Sequence, residues 1–205
     1  METLRSQIAE WGVGSRPVGD SIGSGDDCLV RWHRSGGLVA VVDGLGHGRD
    51  ASLAARSAID VLDAHTTEPL ERLFQRCHEA ARETRGLTMA IAVINADQGS
   101  MAWFGVGNVQ GLLVRARPGV FLPRETLLVR SGVVGQRIPP FAPVTVSIAP
   151  GDVLAMATDG IRSDFESTIS TGETARAAAT RVLERYALPT DDALVVVVRY
   201  LGRPQ

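Results

Sequence analysis

The chain has 205 residues, of which 44% are hydrophobic and 21% are charged. This length suits one ordinary domain, which we expect to span residues 1–205, and the composition excludes a disordered chain. The formal net charge is −2 and the isoelectric point is about 6.1. This near-neutral balance gives no argument for nucleic acid or an anionic membrane as a partner.

Hydrophobic periodicity and turn residues predict the secondary structure. In chain order, the expected elements are strands at 27–33 and 38–43, helices at 49–64 and 68–85, strands at 88–95, 100–106, 109–115, 143–148 and 152–157, a helix at 173–187 and a strand at 193–201. The segment 116–142 has the weakest pattern and is interpreted as a surface excursion. Strands come in runs and many turns are short, which favours an α+β fold with mainly antiparallel sheets.

Each predicted helix has one apolar face. The residues expected on these buried faces are Ala51, Ala54, Ala55, Ala58, Ile59 and Leu62 in the first helix, Leu70, Leu73, Phe74, Cys77, Ala80 and Ala81 in the second, and Ala175, Ala178, Ala179, Val182, Leu183 and Tyr186 in the third. Thr67 is the candidate cap of the second helix, and Pro69 is tolerable in its first turn.

The expected location is the cytoplasm. The N-terminus has no apolar segment of a secretory signal, and the longest apolar run, 193–198, is far shorter than the ~20 residues of a membrane helix. The two cysteines, Cys28 and Cys77, have no zinc-ligand spacing and are interpreted as reduced core residues. Neither cysteine lies in a context that would lower its pKa, which argues against a cysteine nucleophile.

Acidic residues recur at the ends of predicted strands. Asp26 and Asp27 come at the start of one strand, Asp43 at the end of another, Asp159 after a third, and the pair Asp191 and Asp192 before the last. The motifs are GSGDD, VDGLGHG, TDG and TDDALVVVV. Any one of these is commonly only a turn or a cap, but together they predict carboxylates that converge at one edge. Because clustered like charges repel, a divalent cation would stabilise them, and an all-oxygen set favours Mg²⁺, Mn²⁺ or Ca²⁺ over zinc. At Gly44 no side chain blocks the backbone, so its carbonyl could also turn towards a metal.

These four motifs, in this order, resemble the metal-dependent serine/threonine phosphatases of the type-2C (PPM) superfamily. The likeness is greater to its SpoIIE-like branch, where DGxGHG is typical, and within it to small stressosome phosphatases. Further similarity lies in residues 74–94, FQRCHEAARETRGLTMAIAVI, and in the turn GVGNV at 105–109. The resemblance covers nearly the whole chain.

The resemblance implies an α-β-β-α sandwich with two Mn²⁺ or Mg²⁺ ions at one edge. By motif, Asp43 would bridge both ions, the Gly44 carbonyl would hold one, and Asp159 and Asp191 would ligate the other. Asp26 would act at the same centre, directly or through water. Asp192 is the uncertain member of its pair, and Asp27 has no counterpart role.

The mechanism implied is hydrolysis of phosphoserine or phosphothreonine by a metal-bound hydroxide, which needs no nucleophilic Cys or Ser. The expected substrates are phosphorylated STAS-domain proteins of a stressosome. Two alternatives stay open: an inactive relative that acts as a protein-binding module, and a calcium-stabilised module. The second is disfavoured because DGLGHGRD lacks the alternating acidic pattern of an EF-hand.

Two departures from the eukaryotic pattern concern other site residues. The histidine that follows DG in those relatives is Leu45 here, so His47 is only a possible general acid and is otherwise an exposed loop residue. No arginine stands shortly before the first acidic motif, which leaves Arg16, Arg49 and Arg162 as candidates by proximity to motifs. Asn108 could hold a loop near the centre, although a turn residue is the commoner explanation.

Overall fold

The computed structural model describes residues 8–18, 23–117 and 123–203. Within them lie eleven strands, three α-helices and a 3₁₀ helix at Ser163–Thr168. In chain order the elements are β1 Ala9–Arg16, β2 Asp26–His33, β3 Gly36–Gly44, α1 Arg49–Ala64, α2 Leu70–Ala80, β4 Leu87–Asn95, β5 Ser100–Val106, β6 Gln110–Val114, β7 Arg124–Thr126, β8 Val129–Arg130, β9 Val144–Ser147, β10 Val153–Ala157, α3 Ala175–Tyr186 and β11 Ala193–Tyr200.

The strands form two mainly antiparallel sheets. Sheet A has the order β1-β11-β10-β6-β7, and sheet B has the order β2-β3-β4-β5-β8, with β9 also paired to β5. Among the described strands, the short β5–β8 contact is the one parallel pairing. The predicted α+β class, with mainly antiparallel sheets flanked by helices, is confirmed.

Three hydrophobic layers hold this arrangement together. The apolar faces of the two sheets, including Met101, Trp103 and Met156, pack against each other. The other face of sheet B is covered by α1 and α2, and the other face of sheet A by α3 and the 3₁₀ helix. The layers therefore run helix, sheet, sheet, helix, as the resemblance implied. No helix in the described part of the chain combines the length and apolar character needed to cross a bilayer.

The helix faces follow the predicted periodicity closely. All six predicted residues of α1 are buried. In α3 four are buried, while Leu183 and Tyr186 are partly buried against the same cluster. In α2 the expectation for Ala80 is wrong, since it is exposed on the last turn. The Thr67 cap is also wrong: the helix begins directly after Pro69, and no side chain caps it.

Strand β1 was missed because its sequence, AEWGVGSR, contains two glycines. A Cβ atom on Gly12 would lie 2.4 Å from the Arg176 Cα atom of α3, and one on Gly14 would lie 2.8 Å from the Ala179 carbonyl oxygen. Close packing against the helix thus requires residues of low strand propensity. Pairing with β11 over eight residue positions fixes the strand regardless.

The segment 116–142 contains more structure than its pattern indicated. Strands β7 and β8 lie in it, and the backbone of Val134 pairs with that of Leu87. Residues 118–122 of this segment are outside the described residues.

Candidate metal centre

Strand pairing brings the acidic motifs to one edge of the two sheets. In sheet B, Asp26 lies directly opposite Asp43, so Asp26 is a strand residue and not, as expected, a residue just before its strand. In sheet A, β10 and β11 are antiparallel, so the end of β10, followed by Asp159, lies beside the start of β11, preceded by Asp191 and Asp192. Acidic residues from four places in the sequence therefore meet where the sheets meet.

Burial and mutual repulsion make this edge electrostatically unfavourable for charge. Burial, and then the neighbouring carboxylates, raise the pKa of Asp26 from 3.8 to about 8 and that of Asp43 to about 7. The pKa of Asp159 is raised by burial and by the charge of Asp191. The charges that raise the pKa of Asp43 belong to Asp159, Asp191 and Asp192 of sheet A, which shows that carboxylates of both sheets interact.

A buried threonine joins Asp26 to sheet A. The Thr158 hydroxyl donates to Asp26 Oδ2 at 2.6 Å and accepts from the backbone N–H of Leu194 at 3.0 Å. Thr158 is fully buried, so its side chain is fixed by these contacts. The Asp26 carboxylate, 7% exposed, is thereby held in place by a residue 132 positions away in the sequence.

A second connection runs from Thr88, the strand partner of Asp43, through Asn108 to Asp159. The Thr88 hydroxyl lies 3.3 Å from Asp43 Oδ2 and 2.8 Å from Asn108 Oδ1, and the Asn108 amide nitrogen donates to Asp159 Oδ2. Asn108 therefore lies at the site and does more than form the turn.

The two members of the Asp191–Asp192 pair differ in their surroundings. Both carboxylate oxygens of Asp192 accept backbone N–H groups, from Val18 and Gly25, each at 2.6 Å. Asp191 is exposed, and its contact is a 2.9 Å hydrogen bond from the Asp192 N–H. Asp192 thus fixes the backbone before β2, whereas Asp191 is an exposed carboxylate that uses Oδ1 for this one contact.

The glycines that follow Asp43 and Asp159 permit close approach of other segments. A Cβ atom on Gly44 would lie 2.0 Å from the Ala51 carbonyl oxygen of α1, and one on Gly160 would lie 1.8 Å from the Asp192 carbonyl oxygen. Any side chain at either position would push these segments apart. The repeated Asp-Gly pair thus lets neighbouring backbone pack directly beside each carboxylate.

The donor set suits a hard divalent cation. Every candidate ligand is an oxygen, and a cation would offset the repulsion that raises these pKa values. Within residues 8–18, 23–117 and 123–203, no three Asp, Glu, His or Cys side chains are already grouped as the ligands of one ion. Mg²⁺ commonly keeps several waters and takes only one or two carboxylates, so such a group is not required for binding.

The other predicted residues are exposed or have partners outside the acidic cluster. His47 is exposed in the loop before α1. Arg16 donates to the Leu188 carbonyl oxygen, and Arg162 pairs with Asp164. Asp27 accepts the Cys28 N–H and takes no part in the raised pKa values of the cluster. Arg49 is exposed at the start of α1.

Sequence reasoning missed Thr88, Thr158 and Arg85. The two threonines are buried hydroxyls on or beside strands, and only their partners reveal them. Arg85 pairs with Asp50 at 2.8 Å and lies beside Gly46 of the DGLGHG loop. The sequence position of Arg85 could have indicated this contact, because Arg85 lies just before β4, and the start of β4 pairs with the end of β3.

Both cysteines are free, as expected. Burial raises the pKa of each thiol to about 12. Neither thiol therefore provides a thiolate nucleophile near neutral pH.

Comparison with known structures gives the class of the protein. A chain from a structure described as "The bacterial stressosome: a modular system that has been adapted to control secondary messenger signaling" superposes with a TM-score of 0.85 at 28% identity, over 94% of this chain and 100% of that one. A crystal structure of RsbX in complex with magnesium superposes with a TM-score of 0.81 at 23% identity, over 92% and 93% of the two chains. The fold is that of the PPM-type (type-2C) protein phosphatases.

Sequence comparison then gives the family. Residues 35–201 match the family described as Stage II sporulation protein E, SpoIIE. The chain belongs to the SpoIIE family. It is 26% identical to the phosphoserine phosphatase RsbX of Bacillus subtilis (strain 168) over 179 residues, which is 87% of each protein. The superfamily, the branch and the class of enzyme that the motifs predicted are confirmed, as is the likeness to a small stressosome phosphatase.

Proposed function

We propose that this protein is a metal-dependent phosphatase that hydrolyses phosphoserine or phosphothreonine on STAS-domain proteins of a stressosome. The observation that carries the proposal is the acidic edge, where Asp26 lies opposite Asp43 in sheet B and the carboxylates beside sheet A raise the pKa of Asp43, a repulsion that a divalent cation would offset. The expectation that residues 1–205 form a single phosphatase domain is part of the same proposal.

The residues proposed to hold the ions are those of the acidic motifs. Asp43 would contact both of two Mn²⁺ or Mg²⁺ ions, and the Gly44 carbonyl would contact one. Asp159 and Asp191 would hold the other, and Asp26 would act directly or through water. Magnesium is supported by the RsbX crystal structure, which contains it and shares this fold. When bound, the ions would supply an activated water and offset charge on the phosphoryl oxygens.

The chain itself would supply orientation. Thr158 fixes Asp26, while Thr88 and Asn108 connect Asp43 with Asp159. Asp192 anchors the backbone that leads into β2. These contacts hold the carboxylates near one another in spite of their repulsion. The site would therefore need little rearrangement when a cation binds.

The partner class is supported by two relatives. RsbX is named as a phosphoserine phosphatase, and the 28% identical structure is described as part of work on the bacterial stressosome. A stressosome phosphoprotein is therefore the preferred substrate. The exposed His47 is proposed at most as a proton donor that assists turnover, and not as a ligand.

The experiment is a phosphatase assay with p-nitrophenyl phosphate and with a phosphorylated STAS-domain protein. We expect turnover with added Mn²⁺ or Mg²⁺ and none in EDTA. Asp43→Asn and Asp159→Asn should each lower kcat by about a thousandfold or more, since several kcal/mol of charge stabilisation would be lost. Circular dichroism should show both variants folded.

Two results would contradict the proposal. Undiminished hydrolysis in EDTA would reject the metal-dependent reaction. Binding of the phosphorylated partner without any turnover, in either metal, would instead identify the chain as an inactive binding module.

A further inference from the structure

The connection between the two sheets runs through Asn108. Thr88 has one hydroxyl hydrogen, and the nearer acceptor is Asn108 Oδ1 at 2.8 Å, while Asp43 Oδ2 lies 3.3 Å away. Asp43 is held beside Thr88 by the strand register, which pairs the two residues directly. The Asn108 amide then presents its N–H to Asp159 Oδ2. An amide side chain satisfies both neighbours because it offers an acceptor to the hydroxyl and a donor to the carboxylate.

The backbone before Asn108 is shaped to make this connection. Gly107 has a φ of +102°, which side chains disfavour, and its N–H donates to the Arg130 carbonyl oxygen at 2.9 Å. A Cβ atom on Gly107 would lie 2.3 Å from the Thr88 Cβ and Cγ2 atoms. The turn therefore packs directly onto Thr88, and this brings the next residue, Asn108, between Thr88 and Asp159.

The exposure of Asn108 separates its role from that of a core residue. Thr88 is 4% exposed, whereas Asn108 is an exposed turn residue that still makes two side-chain hydrogen bonds to site residues. Removing the Asn108 amide should thus disturb the position of Asp159 more than the packing of the sheets.

We propose that Asn108 and Thr88 are positioning residues that hold Asp159 of sheet A in place relative to Asp43 of sheet B, and so set the affinity of the site for its divalent cations. The inference rests on the proposed function, since it assigns these residues a role towards the ions that Asp43 and Asp159 would hold. Partners that orient metal-binding carboxylates commonly change metal affinity by about 10- to 100-fold when they are removed.

The test compares Asn108→Ala and Thr88→Val with the wild-type protein. Mn²⁺ binding is measured by isothermal titration calorimetry, and the Mn²⁺ dependence of p-nitrophenyl phosphate hydrolysis is measured in parallel. We expect Asn108→Ala to weaken Mn²⁺ binding by about tenfold or more. High Mn²⁺ should restore most of its turnover.

Two matched variants serve as controls. Thr88→Ser keeps the hydroxyl and should bind Mn²⁺ more nearly like wild type than the isosteric Thr88→Val. Asn95→Ala removes the side chain of another asparagine, one that accepts the Gln98 N–H in the turn between β4 and β5, and should leave Mn²⁺ binding unchanged.

The outcomes separate this inference from the proposed function. Unchanged Mn²⁺ affinity in both Asn108→Ala and Thr88→Val would overturn the inference, as would an equal loss in Thr88→Ser and Thr88→Val. Wild-type protein that neither binds Mn²⁺ nor hydrolyses phosphate esters would instead overturn the proposed function. If Thr88→Val does not fold, Asn108→Ala alone decides, since its side chain lies at the surface.

Discussion

The carboxylates at the two ends of strand β10 have opposite electrostatic surroundings. Asp152, directly before the strand, is 2% exposed, and Arg115 donates to it at 3.0 Å. The N–H groups of Ala116 and Ala149 also donate to it, at 2.9 and 3.0 Å. Asp159, two residues after the strand, lies among other carboxylates, and its pKa is raised.

The difference shows what an acidic cluster needs. Arg115, which also pairs with Glu125, supplies a cation from within the chain, so this network needs nothing from outside. At the opposite end, Asp26, Asp43 and Asp159 have hydroxyl and amide partners, but these do not cancel their mutual repulsion. A bound cation would offset this repulsion, and this is the physical basis for proposing the metal site at that end and not at the other.

The largest effect is expected from removing the internal cation. Arg115→Met should lower the free energy of unfolding by about 3–5 kcal/mol, because buried Asp152 would lose its charged partner. Urea denaturation at pH 7 in EDTA measures the change. Arg31→Met, which breaks the exposed pair with Asp63, is the matched control and should cost at most about 1 kcal/mol. A similar small cost for Arg115→Met would show that this network does not depend on its arginine.

The next effect is a pH dependence that belongs to the acidic edge. In EDTA, the folded protein binds protons at Asp26 and Asp43 more tightly than the unfolded chain, because their pKa values are raised to about 8 and about 7. The stability they contribute is therefore complete below about pH 4 and is lost as the pH rises through 7 and 8. We expect a loss of a few kcal/mol between pH 5 and 8, since each tenfold difference in proton affinity amounts to about 1.4 kcal/mol.

Saturating Mn²⁺ should reverse this trend, because binding to the folded state favours the ionised carboxylates. Urea denaturation at several pH values, with EDTA or with Mn²⁺, provides the measurement. Equal stability at pH 5 and pH 8 in EDTA would show that the carboxylates do not repel one another as the structure indicates.

A smaller gain is expected when one charge is removed from the edge. Asp43→Asn should raise the free energy of unfolding in EDTA at pH 8 by about 1–2 kcal/mol, because repulsion with Asp159 and Asp191 is relieved. The same substitution should abolish turnover. Thermal denaturation with and without Mn²⁺ checks the stability, and the variant should also lack the stabilisation by Mn²⁺ that is expected for wild type. The p-nitrophenyl phosphate assay checks turnover. A destabilised Asp43→Asn would indicate that its contact with Thr88 outweighs the repulsion.

The sequence predicted the helices and the acidic strand ends because these signals are local. The stripe of α1 was predicted completely, and Asp43 and Asp159 stood out through the glycine that follows each. Strand β1 could not be predicted because its glycines are required by close packing against α3. Hydrophobic periodicity along a strand carries no information about such packing.

The partners of the carboxylates could not be predicted in this way. Thr158 and Asp26 are 132 residues apart, and Asn108 and Asp159 are 51 apart. A hydroxyl or an amide on one strand has no spacing relation to a carboxylate on another sheet. Only the strand register shows that they meet, and only the backbone contacts of Val18 and Gly25 distinguish Asp192 from Asp191.

The smallest effect is expected at Asp27, which neighbours Asp26 in sequence but not in environment. Successive strand residues point to opposite faces, and Asp27 accepts the Cys28 N–H at 2.8 Å beside residues of α1 that include the exposed Leu53 and Arg56. Asp27→Asn should change the free energy of unfolding by less than about 0.5 kcal/mol and leave the Mn²⁺ requirement unaltered, whereas Asp26→Asn should alter both. Urea denaturation and Mn²⁺ titration of the two variants test this contrast. Equal effects of the two substitutions would mean that any carboxylate near this edge contributes, whichever face of the sheet its side chain points to.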